Sequence, residues 1–129
     1  MNREYMARMS AAELDEYAKL LGIASSPAKT AEAKIKLIER RRERTASVRV
    51  LGIDLEIPIK RAHDKRVSDL MSKQSLTDAE MEEAMRLLLG DEQMGELAGA
   101  CTDEDGTVDV NALGLAFAKV VTSEDLKNF

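Results

Sequence analysis

The sequence predicts a mainly α protein, a single helical domain carrying one small β-hairpin near residues 47–60. Three observations lead there. Two capping boxes, Ser10 with Glu13 and Thr77 with Glu80, each open an amphipathic run with helical spacing. One stretch, residues 48–59, switches to near-alternation of apolar and polar residues. Aromatic residues make up only 3% of the chain and 33% of it is charged, a composition that disfavours an aromatic-cored β-sandwich.

The elements follow in order. Behind Ser10, the residues Leu14, Tyr17, Ala18 and Leu21 fall at i, i+3, i+4 and i+7, on one face of a helix that Gly22 is placed to end. Residues 23–29 read as a connector, with Ser26 and Pro27 as cap and first turn of a second helix from about Pro27 to Arg44. Its stripe of Ala31, Ile35 and Ile38 runs out at residues 39–44, where charge leaves no face to bury. Val48, Val50, Ile53, Leu55, Ile57 and Ile59 alternate around Gly52 as a hairpin, and Pro58, which has no N–H to donate, belongs on an edge. Residues 61–72 suggest a short helix. Behind Thr77, the residues Met81, Ala84, Met85 and Leu88 share a face before Gly90 stops the helix. Asp91 is placed to cap a further helix with Met94, Leu97 and Cys101 on its face, weakened by Gly95 and Gly99 at about 1 kcal/mol each. An acidic loop, 102–107, leads to Asp109 as cap of a last helix whose face is Val110, Leu113, Phe117, Val120 and Val121, with 123–129 as a tail. The expected organisation is a helix-connector-helix over 1–45, a hairpin over 46–60 and a helical part over 61–129, in one compact unit.

Composition excludes several classes of function. One Cys and one His cannot form an internal disulfide or complete a tetrahedral zinc site. No apolar run approaches the ~20 residues that span a bilayer, and the first residues lack the apolar core of a signal peptide, so a cytoplasmic protein is expected, with no membrane partner. The net charge of −5 is unevenly distributed: residues 1–66 carry fifteen Lys/Arg against ten Asp/Glu, and residues 67–129 carry four against fourteen. A basic half joined to an acidic half suits a homo-oligomer in which residues 40–44 meet the acidic loop at 103–109, or contact with nucleic acid through one end.

Candidate chemistry is sparse. His63 beside Asp64 is the only imidazole, and no nucleophile with a positioned base accompanies it. Cys101 lies on an apolar stripe and reads as a small buried hydrophobe. No phosphate-binding glycine loop and no HExxH motif is present. Residues 101–112 align with a calcium loop through Asp103, Asp105, Gly106, Val108 and Asp109, but Cys101 and Ala112 stand where the end ligands belong, so an acidic turn is the better reading. No catalytic residue, metal or cofactor is expected, and the chain is not read as an enzyme.

Two surfaces remain. Lys34, Lys36, Arg40, Arg41, Arg42 and Arg44, with Arg49 beyond them, form a basic run, and the helices ahead of it over 11–41 resemble the SAP or Rho N-terminal type of nucleic-acid-binding motif. Interspersed glutamates and the absence of aromatics for base stacking favour a solvated helix, which makes nucleic acid the secondary expectation. The other surface is methionine-rich, Met81 and Met85 followed by Met94, and adaptable apolar faces of this kind suit varied partners.

The run from Leu87 to Leu97, through Leu-Gly-Asp-Glu-Gln, followed by the acidic turn and the helix from Asp105 to Phe117, resembles the tail assembly chaperones of long-tailed bacteriophages. The hairpin from Val48 to Pro58 fits the same family, so the resemblance spans about residues 46–122. It implies a cytoplasmic protein that binds the tape-measure protein, keeps its apolar helices soluble and helps to recruit tail-tube protein. It also implies a possible frameshifted longer form, with codons for residues 126–128 able to hold a slip site. Under this resemblance the partner-binding positions are the exposed ones among Met81, Met85, Leu88, Phe117, Val120 and Val121.

Overall fold

The computed structural model describes residues 1–123, so the tail and the slip-site codons at 126–128 lie outside the described residues. The chain is mainly helical with one antiparallel hairpin, as its pattern predicts. It divides into two compact units, residues 1–44 and residues from Thr45 onward. Among the described residues, no helix is long and apolar enough to cross a membrane.

The amino-terminal unit holds α1 (Arg3–Met6), α2 (Ala11–Leu20) and α3 (Ala31–Glu43). The capping box of α2 forms as predicted, the Ser10 hydroxyl accepting from the Glu13 N–H and the Glu13 carboxylate from the Ser10 N–H. Leu14, Ala18 and Leu21 are buried with Ile35 and Ile38 of α3. Met6 joins them at 1% exposure, which a four-residue helix without a periodic stripe did not announce. The start of α3 also differs from expectation. Ser26 and Pro27 sit in a turn closed by the Ala28 N–H on the Ser25 carbonyl, and Thr30 caps the helix instead by accepting from the Ala33 N–H.

The second unit begins with β1 (Thr45–Val50) and β2 (Ile53–Pro58), paired so that Val50 faces Ile53 and Thr45 faces Pro58. The two residues between, Leu51 and Gly52, have φ of 51° and 78°, the pattern of a type I′ turn. A leucine at positive φ costs roughly 1–2 kcal/mol, and packing of the Leu51 side chain against the core offsets that strain. Ala46, Val48, Val50, Leu55 and Ile57 alternate inward. The segment expected as one short helix over 61–72 is two, α4 (Ile59–Ala62) and α5 (Lys65–Met71), because Asp64 caps anew by accepting from the Arg66 N–H.

The longest element, α6 (Asp78–Ala100), starts at the predicted Thr77 capping box and breaks at Gly90, where φ is 80° and ψ 167°. The positive φ selects glycine, while a Cβ there would meet only the mobile end of Arg61, Nη1 at 2.9 Å. Asp91, expected to cap the following stretch, instead projects into solvent and lies 3.8 Å from Arg86 Nε. Three residues on, the Gln93 carboxamide accepts from the Glu56 N–H and donates to the Glu56 carbonyl, both at 2.8 Å. That two-point contact covers the outer edge of β2, which a two-stranded sheet leaves open. Asp109 caps α7 (Val110–Val121) as predicted, accepting from Asn111 and Ala112. Leu88, Leu89, Met94, Leu97, Cys101, Ala116 and Val120 pack against the hairpin to complete this core.

Candidate protein-binding cleft

Helical spacing alone cannot say which apolar residues on a stripe face the core and which face a partner. Of the six candidates in the second unit, Leu88 and Val120 are core residues at 3% and 0% exposure, because they sit where α6 and α7 meet the hairpin. With Met85, which is as buried as Leu88, they reach a partner only if neighbouring side chains move. Phe117 packs half-buried against the same core, and Val121 is half-buried beside Ala62, Val67, Met71 and Leu88 around a separate shallow depression. Met81 and Met85 come together elsewhere. With Met94, Val110 and Leu113 they line a narrow apolar cleft, rimmed by Asp78 and Glu82, between α6 and the start of α7.

Each lining side chain is held there for a local reason. The capping box fixes the first turn of α6, which sets Met81 and Met85 one turn apart on one face. The break at Gly90 redirects the chain so that Met94 returns toward them, and the Asp109 cap presents Val110 and Leu113 from the other side. Met85 and Met94 are buried and form the floor, Met81 and Leu113 are half-buried walls, and Val110 is 58% exposed at the rim. Val110 was expected on the core face, but as the first residue of α7 it precedes the turn that packs inward. A second hollow continues from the first through Glu82, Met94 and Leu113 to Arg86, Asp91, Gly95, Ala98 and Val108.

The cleft is apolar inside and acidic around. From residue 78 to residue 109 the chain carries eleven Asp/Glu and one basic residue, Arg86, which lies 3.8 Å from both Glu83 and Asp91. In the first turn of α6, the Glu80 carboxyl is held down at about 2 by its hydrogen bond from Lys73 and then by the Thr77 N–H, so it is ionised across the physiological range.

The basic run of the first unit does not form one surface. Lys34 is buried, its ammonium donating to Asp15 Oδ1 at 2.6 Å and to the Ser25 carbonyl at 3.1 Å, while the Ser25 hydroxyl donates to the same carboxylate at 2.5 Å. These bonds, Lys34 first, pull the Asp15 carboxyl below its ordinary value. Lys34 is therefore an internal tie and unavailable to nucleic acid. Arg41 Nε donates to the Leu21 carbonyl and Arg42 to the Met1 carbonyl, which leaves Lys36, Arg40 and Arg44 as the exposed members of the set.

The remaining candidates resolve as structural groups. Asp64 is engaged by Arg66, which depresses its carboxyl. Cys101 is buried, and burial, then the charge of Asp109, pushes its thiol up and away from a reactive thiolate. In the acidic loop, Asp105 accepts from the Thr107 N–H and Asp109 is spent on its cap, while Thr102 and Val108 pair as an isolated bridge. Among the described residues, no three His, Cys, Asp or Glu side chains converge to hold a metal. Comparison with known families, characterised proteins and solved structures returned no match.

Proposed function

We propose that this chain is a bacteriophage tail assembly chaperone, binding apolar helical segments of a tape-measure protein in the α6–α7 cleft, keeping them soluble and promoting assembly of tail-tube protein around them. The observation that carries this reading is the methionine-lined cleft in which half-buried Met81 and Leu113 stand over buried Met85 and Met94. Thioether side chains are unbranched and polarizable, so one cleft can accommodate many different apolar residues in turn. A chaperone for a long, repetitive helical protein needs that tolerance more than it needs a single tight contact. The likeness of residues 46–122 to the chaperone family supports the same reading, since it covers the hairpin, α6 and α7, the elements that build the cleft.

The test is co-expression with the product of the neighbouring long, helix-rich reading frame, followed by measurement of its solubility and a pull-down. A partner that is soluble and co-purifies only when this chain is present supports the proposal. A partner that is equally insoluble with and without the chain contradicts it. The secondary reading, a nucleic-acid-binding regulator acting through Lys36, Arg40 and Arg44, predicts duplex-DNA binding that falls steeply with salt.

A further inference from the structure

Building on the chaperone reading of this cleft, we infer that its occupant is a basic amphipathic α-helix, one whose apolar anchors enter between Met81, Met94 and Leu113 while Lys or Arg side chains beside them meet Asp78, Glu82 and Asp91. Two independent features point there. The first is charge. The rim carboxylates belong to a stretch of eleven acids and a single arginine, and that arginine is already flanked by Glu83 and Asp91. An acidic or neutral helix would bring its polar face against this field without compensation, whereas a basic one is attracted and oriented by it.

The second feature is the backbone lining the cleft. Its walls are α6 and α7, whose N–H and C=O groups beyond the first turn are bonded within the helices, and no residue of β1 or β2 lines it. An extended peptide would find no strand edge to pair with and would leave its own backbone groups unbonded on apolar surface. A helix satisfies its backbone internally and offers side chains at i, i+3, i+4 and i+7, which is the form of contact that this surface can receive. The second hollow, continuous with the first through Glu82, Met94 and Leu113, gives the helix a further turn of contact.

The test uses the full chain and three labelled helical peptides of about 18 residues, matched in helicity. One has a Leu/Met face with Lys on its polar face, one has the same apolar face with Glu, and one keeps the Lys but replaces the apolar face with Ser and Ala. Fluorescence anisotropy at about 50 mM and about 300 mM salt reads affinity and its screening. The inference predicts that the Lys helix binds about tenfold or more tighter than the Glu helix, with the gap narrowing at high salt, and that the peptide without an apolar face does not bind. Exchanging rim charges in the double variant Glu82→Lys/Asp91→Lys, both exposed positions, should erase or invert the preference. The same charge change placed outside the cleft lining, Glu16→Lys/Glu43→Lys, should leave the preference in place. Thermal melting of both variants establishes that each is folded. Equal binding of the Lys and Glu helices, or a preference untouched by the rim variant, overturns charge selection while leaving helix binding intact. Failure of both apolar-faced helices to bind overturns the inference together with the chaperone reading on which it rests.

Discussion

The two units of this chain spend similar side chains in different ways. In residues 1–44 the apolar stripes of α2 and α3 are consumed by a small core, and several of the cations are tied down internally: Lys34 by Asp15, Arg3 by Glu32 and Glu39, Arg42 by the Met1 carbonyl. From Thr45 onward there is more apolar surface than the core absorbs. Met81, Val110 and Leu113 stay accessible around a cleft whose acidic groups are largely without basic neighbours in sequence. A basic run therefore turns out to be partly scaffold, and a hydrophobic stripe turns out to be partly surface. The lesson is that accessibility after folding, more than composition, decides which residues can meet a partner.

The largest effect should separate the units outright. Leu97 and Leu14 are both fully buried, one in each core, and each truncation to Ala should cost about 2–5 kcal/mol. Leu97→Ala should abolish peptide binding at the cleft along with protection of residues 45–123 from hydrogen exchange. Leu14→Ala should strip protection from residues 1–44 while binding persists. Loss of binding in Leu14→Ala to the same degree would place part of the binding surface in the first unit.

A smaller effect is expected at the break in α6. Gly90→Ala combines positive φ with a contact on Arg61 and should destabilise by about 1–3 kcal/mol in urea titration. Gly99→Ala, within the same helix and with open space around its Cβ, should stabilise by about 0.5–1 kcal/mol. Equal effects from the two would mean that Gly90 does not set the geometry of the cleft. Gln93→Ala removes both hydrogen bonds to Glu56 and should cost about 1 kcal/mol, with amide exchange rising first along β2.

Acid provides the finest comparison. Glu80 is held at about 2 by Lys73 and Thr77 against an ordinary 4.5, so its contribution is fully present above 4.5 and is lost as pH falls toward 2. Asp15, lowered by Lys34 and Ser25, behaves with the same sign in the first unit. The consequences differ, because Glu80 ties the first turn of α6 to Lys73 a few residues earlier, whereas Asp15 joins α2 to the connector and α3. Carboxyl titration by NMR should find both below their ordinary values, with acid loosening tertiary contacts in 1–44 but only fraying the start of α6. Replacing Lys73 with Met should return Glu80 toward 4.5.

Much of the fold was legible because its signals are local. A hydroxyl three residues before a glutamate, a 3.6-residue stripe and a glycine stop are enough to place α2 and the start of α6, and a period of two is enough to place the hairpin. What escaped depends on residues distant in sequence. Lys34 looks like any surface lysine until Asp15, nineteen positions earlier, is brought against it. Leu88 and Met81 lie on one stripe, yet the hairpin covers the first and leaves the second open. The start of α3 shifted to Thr30 because Ser25, turned inward toward Asp15, closes a turn over the positions where Ser26 and Pro27 would have begun the helix. Gln93 carried no sequence signal as an edge cover, since its partner is the backbone of Glu56.

The most direct measurement sets the two surfaces against each other in the co-expression assay. Met81→Arg places a charge at the wall of the methionine cleft, while Lys36→Ala/Arg40→Ala/Arg44→Ala removes the exposed cations of α3, and partner solubility and co-purification are scored for each. The account predicts that the cleft variant loses the partner and the cation variant retains it. Retention by Met81→Arg together with loss in the triple variant would contradict it and move function to the basic helix.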